Sequence, residues 1–115
     1  MRALALASLL FAFPAIAGAA PASGAQILAA ITGNTVQGSM DASGAYTEFY
    51  QADGIIKGSG YTGSWLVAQN RMCFAYEGTP TTCFAVEIDG EAVTWIGDKG
   101  ERGTGTILKG NPNGF

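Results

Sequence analysis

Nine carboxylates, two cysteines and no histidine make up the reactive repertoire of this 115-residue chain. Without histidine, both the Ser/His/Asp and the Cys/His arrangements are absent, and zinc loses its commonest nitrogen ligand. Carboxylate chemistry remains: Glu48, Asp53, Glu87, Glu91 and Asp98 all fall in or near extended segments. Glycosidase-type catalysis requires two such groups at a set separation in one cleft. Asp53 and Asp89, each followed by glycine, have the residue types of hairpin turns, while Glu48, Glu87 and Asp98 alternate with apolar residues as solvated positions do. Glu91 falls at the rim of the apolar face. No catalytic, cofactor-binding or metal residue is assigned on these grounds, and no cofactor is implied. One enzymatic alternative survives, a small carboxylate-dependent hydrolase or cell-wall enzyme in which Glu48 and Glu91 converge.

Cys73 and Cys83 are ten positions apart, with a turn midway between them. That spacing is not the C-x-x-C of a redox pair; it suits one disulfide across one β-hairpin, provided the compartment is oxidising. The start of the chain supplies that compartment. Arg2 is a minimal positive region, residues 3–13 are apolar and uncharged, and Pro14 precedes a run of small residues. Cleavage is expected after Ala19, with Ala17 as the alternative, making residues 1–19 a signal peptide and residues 20–115 one small domain. The proline interrupts an apolar run already shorter than the ~20 residues a span needs, so no stable membrane span is expected after cleavage. Losing Arg2 leaves five of the six basic residues against nine acidic ones, a net charge near −4. Such a balance disfavours a nucleic-acid partner, which requires a basic face.

The elements that position these groups are short. Ser23-Gly24-Ala25-Gln26 has the form of a capping box ahead of Ile27, Leu28 and Ile31, and Gly33 stands where a helix ends, which predicts a helix over residues 25–32. Strands are expected over residues 35–40, 45–52, 55–60, 64–68, 71–76, 82–88, 91–96 and 104–109. These eight segments predict a mainly all-β fold, either a closed antiparallel barrel or a strongly bent open meander, with one short N-terminal helix. Two-residue turns at Gln69-Asn70 and Asp89-Gly90, with Cys73 paired to Cys83, set a register. It places Trp65, Val67, Met72, Phe74, Phe84, Val86, Val93 and Trp95 on one face, the expected core. Leu66, Cys73, Cys83 and Ile96 form a row on the other. The helix can dock on that row or cover one end of a barrel.

A third two-residue turn, Asp53-Gly54, sets Tyr46 against Tyr61 and Tyr50 against Lys57. The tyrosines then form either a wall of the core or a binding platform. Gly58 and Gly60 suggest bends or close packing over an aromatic ring. The run Asp98-Lys99-Gly100-Glu101-Arg102-Gly103 follows no parallel strand and opens no helix, so it reads as an exposed hairpin loop and not a phosphate loop.

The succession Gly33-Asn34-Thr35, Tyr46-Thr47-Glu48-Phe49-Tyr50, Asp53-Gly54, Gly63-Ser64-Trp65, Cys73-Phe74, Cys83-Phe84 and Gly110-Asn111-Pro112 resembles a family of small secreted alphaproteobacterial proteins of unknown function. The resemblance spans nearly all of residues 20–115 and implies a periplasmic β-rich domain with a hairpin disulfide and no assigned activity. The expectation is therefore a non-enzymatic periplasmic or secreted module that binds a protein partner or a small-molecule ligand.

Overall fold

The computed structural model describes residues 20–115, and the signal peptide expected over residues 1–19 lies outside them. Helix α1 (Gly24–Ile31) starts where its polar groups are met reciprocally. Gln26 donates its N–H to Ser23 Oγ at 3.2 Å, and Ser23 donates its own to Gln26 Oε1 at 2.8 Å. Beyond the helix, Gly33 takes φ 73°, a left-handed conformation that lacks steric cost only for glycine, and donates to the carbonyl of Tyr50 at 2.8 Å.

Eight strands follow: β1 (Thr35–Met40), β2 (Gly44–Tyr50), β3 (Ile55–Gly58), β4 (Tyr61–Ala68), β5 (Arg71–Tyr76), β6 (Thr82–Asp89), β7 (Ala92–Gly97) and β8 (Arg102–Leu108). Each pairs antiparallel with the next, and β1 pairs with β8, so the sheet closes into a barrel with no free edge. The seam depends on missing side chains. Gly38 lies opposite Gly105, and a Cβ on Gly38 would collide with the Thr104 carbonyl oxygen.

The turns decide which residues face inward. Gln69 and Asn70 both have positive φ, 53° and 58°, as a type I′ turn demands, and they give Trp65↔Phe74 and Val67↔Met72 as expected. Met72↔Phe84, Cys73↔Cys83 and Phe74↔Thr82 likewise follow the expected register. Two other turns differ. Between β6 and β7 the loop residues are Gly90 and Glu91, because Asp89 pairs with Ala92, and only Gly90 has positive φ. A turn with glycine at its first central position spares Asp89 a left-handed backbone. Moving the turn centre by one residue slides the pairing by two, to Val86↔Trp95 and Ile88↔Val93, so every side chain keeps its face. Between β2 and β3 the loop holds three residues, since Gln51 donates no further than the carbonyl of Ile55 and Gly54 takes φ 90°. That odd change does alter partners: Tyr50 faces Ile56 and not Lys57, and Tyr46 is not set against Tyr61.

The expected core face points into the barrel: Trp65, Met72, Phe74, Val86, Val93 and Trp95 are buried, with Val67 and Phe84 partly so. Cys73 and Cys83 are disulfide-bonded on the outside, next in row to Leu66, which is 54% exposed; Ile96 stands opposite Ala85 and not Cys83. The helix does not dock on that outer row, where Leu66 stays exposed although Cys73 is buried. Ile27 and Ile31 are 0% exposed and share one cluster with Val36, Ile56, Met72 and Val86, so α1 stoppers one end of the barrel. Leu28 does not join the buried stripe and is 46% exposed. Asn70, in the β4–β5 turn at that end, accepts the Gly24 N–H through its side chain at 2.8 Å. Just before the helix, Ala22 donates to the Val86 carbonyl at 2.7 Å and Pro21 bridges to Glu87, extending the sheet beside β6 where β5 has ended.

Candidate functional site: the barrel mouth

The end opposite the helix is open. There the chain turns between β1 and β2, β3 and β4, β5 and β6, and β7 and β8, and the barrel interior opens into a cavity of about 420 Å³. Strand β2 supplies the polar heart of this cavity. Its alternate residues Tyr46, Glu48 and Tyr50 point inward, and Glu48 is only 5% exposed. The expectation of a solvated Glu48 is thus overturned, for the same alternation that turns the tyrosines inward carries the glutamate between them.

Glu48 is held by phenols. Tyr76 donates to both carboxylate oxygens, at 2.9 and 2.8 Å, and Tyr50 donates to Oε1 at 3.2 Å. Among the described residues no lysine or arginine lines the cavity. Removal from water raises the pKa of Glu48, and the phenolic hydrogen bonds oppose that rise only in part. The tyrosines respond to the same environment. Burial first, then the neighbouring Glu48 charge, raises Tyr76 and Tyr50 well above the ordinary phenol range and pushes Tyr61 up to about 12.

A second polar chain crosses the interior. Trp95 Nε1 donates to the Tyr46 hydroxyl at 2.8 Å, and that hydroxyl donates onward to the Thr104 carbonyl at 3.0 Å. Missing side chains make room for these rings. A Cβ on Gly105 would collide with the Tyr46 hydroxyl and lie 2.6 Å from Val36, and one on Gly63 would lie 2.7 Å from the Tyr76 ring. Aromatic rings complete the wall: Phe74 meets Tyr50, Phe84 and Trp95 edge-on at centroid distances of 6.1, 5.7 and 5.4 Å, and Tyr61 meets Tyr76 at 6.1 Å. Every buried side-chain polar atom among the described residues has a partner.

Tyr46, Tyr50 and Tyr61, singled out from sequence, therefore do gather at one cavity, although through a register other than the expected one. Tyr76 was not anticipated; its signal is its place two residues beyond Phe74 on the inward face of β5. Glu48 and Glu91 do not converge. Glu91 is exposed in the β6–β7 turn and takes no part in the cavity lining. Asp53 accepts the Ile55 N–H at 3.1 Å within its turn, and Asp98 pairs with Arg71 on the surface. Of the 98–103 segment only residues 98–101 form the hairpin loop, closed by the Gly97 N–H on the Glu101 carbonyl at 2.8 Å, while Arg102 and Gly103 already belong to β8. Among the described residues no cluster of three or more acidic or sulfur ligands could hold a metal ion. Among the described residues Glu48 is the one carboxylate in the cavity lining. Comparison with protein-family models, curated proteins and solved structures finds no match to this chain.

Proposed function

We propose that this protein is a non-enzymatic periplasmic or secreted binding module that receives a small molecule in the open mouth of its barrel. One observation carries the reading: the helix closes one end, while the other opens on a cavity of about 420 Å³ where aromatic walls surround a few converging polar groups. Small-molecule sites occupy roughly 300–1,000 Å³ and combine apolar walls with a small number of placed polar groups. The proposed compartment draws support from the Cys73–Cys83 disulfide, which persists in oxidising surroundings. No helix among the described residues is long and apolar enough to cross a membrane. Kinship with the small secreted alphaproteobacterial proteins belongs to the same proposal. The two-carboxylate hydrolase gains no support, since Glu91 lies outside the cavity that holds Glu48.

Screening the purified protein against a fragment library by NMR tests the proposal. The expected result is a set of binders whose chemical-shift changes cluster on Tyr46, Tyr61, Tyr76 and the Trp95 indole. Shifts confined to the outer surface of the barrel, or no binders, would sink it.

A further inference from the structure

The mouth is asymmetric in its hydrogen bonding, and the asymmetry defines a chemistry of ligand. Around Glu48 the buried donors are already committed, while the Tyr61 hydroxyl stands half-exposed at the rim. Tyr50 and Tyr76 spend their protons on the carboxylate, Tyr46 on the Thr104 carbonyl, and Trp95 on Tyr46. What remains for a ligand beneath the rim is acceptor capacity: the remaining lone pairs of the Glu48 carboxylate and the phenol oxygens, beside the electron-rich faces of the surrounding rings. An anion would meet a negative group and no basic side chain, because none among the described residues lines the cavity. A neutral apolar molecule would leave a carboxylate removed from water without compensating charge, which is costly.

We propose that the mouth recognises a small organic cation bearing N–H groups, a primary or secondary ammonium, seated against Glu48 within the cage of Tyr46, Tyr50, Tyr61, Tyr76 and Trp95. The inference rests on the mouth being a ligand site and names the class of ligand. Ammonium N–H groups donate where the buried part of the cage accepts, the positive charge faces the carboxylate at close range in a poorly hydrated setting, and the rings contribute cation–π attraction. The cavity has room beyond the ammonium for an apolar body against Phe74, Phe84 and Pro80. Binding is linked to the proton on Glu48. The titratable groups facing it are the phenols of Tyr46 and Tyr50 on β2, Tyr61 on β4 and Tyr76 on β5, none of which ionises near neutrality, so the affinity for a permanent cation rises with pH as Glu48 alone loses its proton.

Benzylammonium and benzyl alcohol have nearly the same shape and differ in charge, so their NMR titration against the purified protein decides the matter. At neutral pH benzylammonium is expected to bind about tenfold or more tightly than the alcohol, as the gain of a charge-assisted contact implies. Glu48→Gln should bring the two affinities together, and Thr82→Trp, which fills the rim without touching the carboxylate, should abolish both. If Glu48→Gln does not fold by circular dichroism, the wild-type pH series serves instead: the preference for the cation must fall on acidification while benzylammonium stays charged. Equal binding of alcohol and cation at the mouth overturns the cation inference and leaves the mouth a ligand site. Binding of neither up to the order of 10 mM, the weak end of useful affinity, overturns the cation inference and weighs against the ligand site as well.

Discussion

Burial of Glu48 among phenol rings favours its protonated form, so the folded chain holds that proton more tightly than the unfolded chain does. The consequence for stability has a definite sign. Between the unfolded value of 4.5 and the raised folded value, the native state binds more protons than the unfolded state, so this contribution is fully present below 4.5 and is lost as pH rises through the folded pKa. Glu48→Gln removes it. Urea unfolding from mildly acidic to neutral pH should therefore show wild-type stability declining more steeply than that of the variant, and parallel slopes would contradict the assignment. Gly105 is the complementary test. Gly105→Ala drives a methyl group against Tyr46 and Val36 and should cost about 1–3 kcal/mol while shifting Trp95 fluorescence, since the indole loses its partner; an unchanged emission spectrum would refute the coupling. Glu48 is partly legible in the sequence; Gly105 is not. Once Tyr46 and Tyr50 share a face, period two puts Glu48 on it. Its partners are phenols and not a cation, and the one that donates to both carboxylate oxygens, Tyr76, lies on β5, so nothing beside Glu48 in the sequence marks it as buried.

At the level of elements, the helix and the hairpin disulfide make separable contributions. Ile27 is sealed at the closed end of the barrel and Leu28 beside it is half in water, so Ile27→Ala should cost about 2–5 kcal/mol and Leu28→Ala well under 1 kcal/mol. Denaturant unfolding of the two variants checks this, and equal losses would mean that α1 does not stopper the barrel. The disulfide closes a loop of about eleven residues, for which chain entropy gives roughly 3 kcal/mol. Cys73→Ala should lower the unfolding free energy by about 2–4 kcal/mol, and identical wild-type unfolding midpoints with and without reductant would contradict it. Strand existence, the capping box and the outward disulfide could all be read from residue types. The turns could be read only by parity: at Gly90-Glu91 an even slide left the faces intact, whereas the extra residue of the 52–54 loop changed the partners of β2 in β3. Residues such as Asp53-Gly54 announce a turn without stating whether it holds two residues or three, because both loops place glycine in the left-handed region.

Across the whole molecule, closure is the most demanding contact. The β1–β8 seam joins residues as distant as Thr35 and Leu108, while every other strand pair links neighbours in sequence. Loop-closure entropy argues that the seam forms late. Val36→Ala, at the seam, should chiefly accelerate unfolding, and Met72→Ala, beside the disulfide hairpin, should chiefly slow refolding; stopped-flow chevrons showing the reverse partition would place closure early. The closed barrel itself was one of two topologies the strand pattern allowed. What no local pattern could state was which end the helix would take, since Ile27 and Ile31 are as apolar for an outer patch as for a barrel end. That choice fixes how the cavity is filled and emptied. A vessel stoppered at its base has a single passage, so an arriving molecule and the liquid it displaces must travel in opposite directions through the same neck. For the proposed ligand, the rim that includes Thr79, Pro80 and Thr82 is then a throttle, slowing entry and exit alike without altering how strongly the floor attracts the guest.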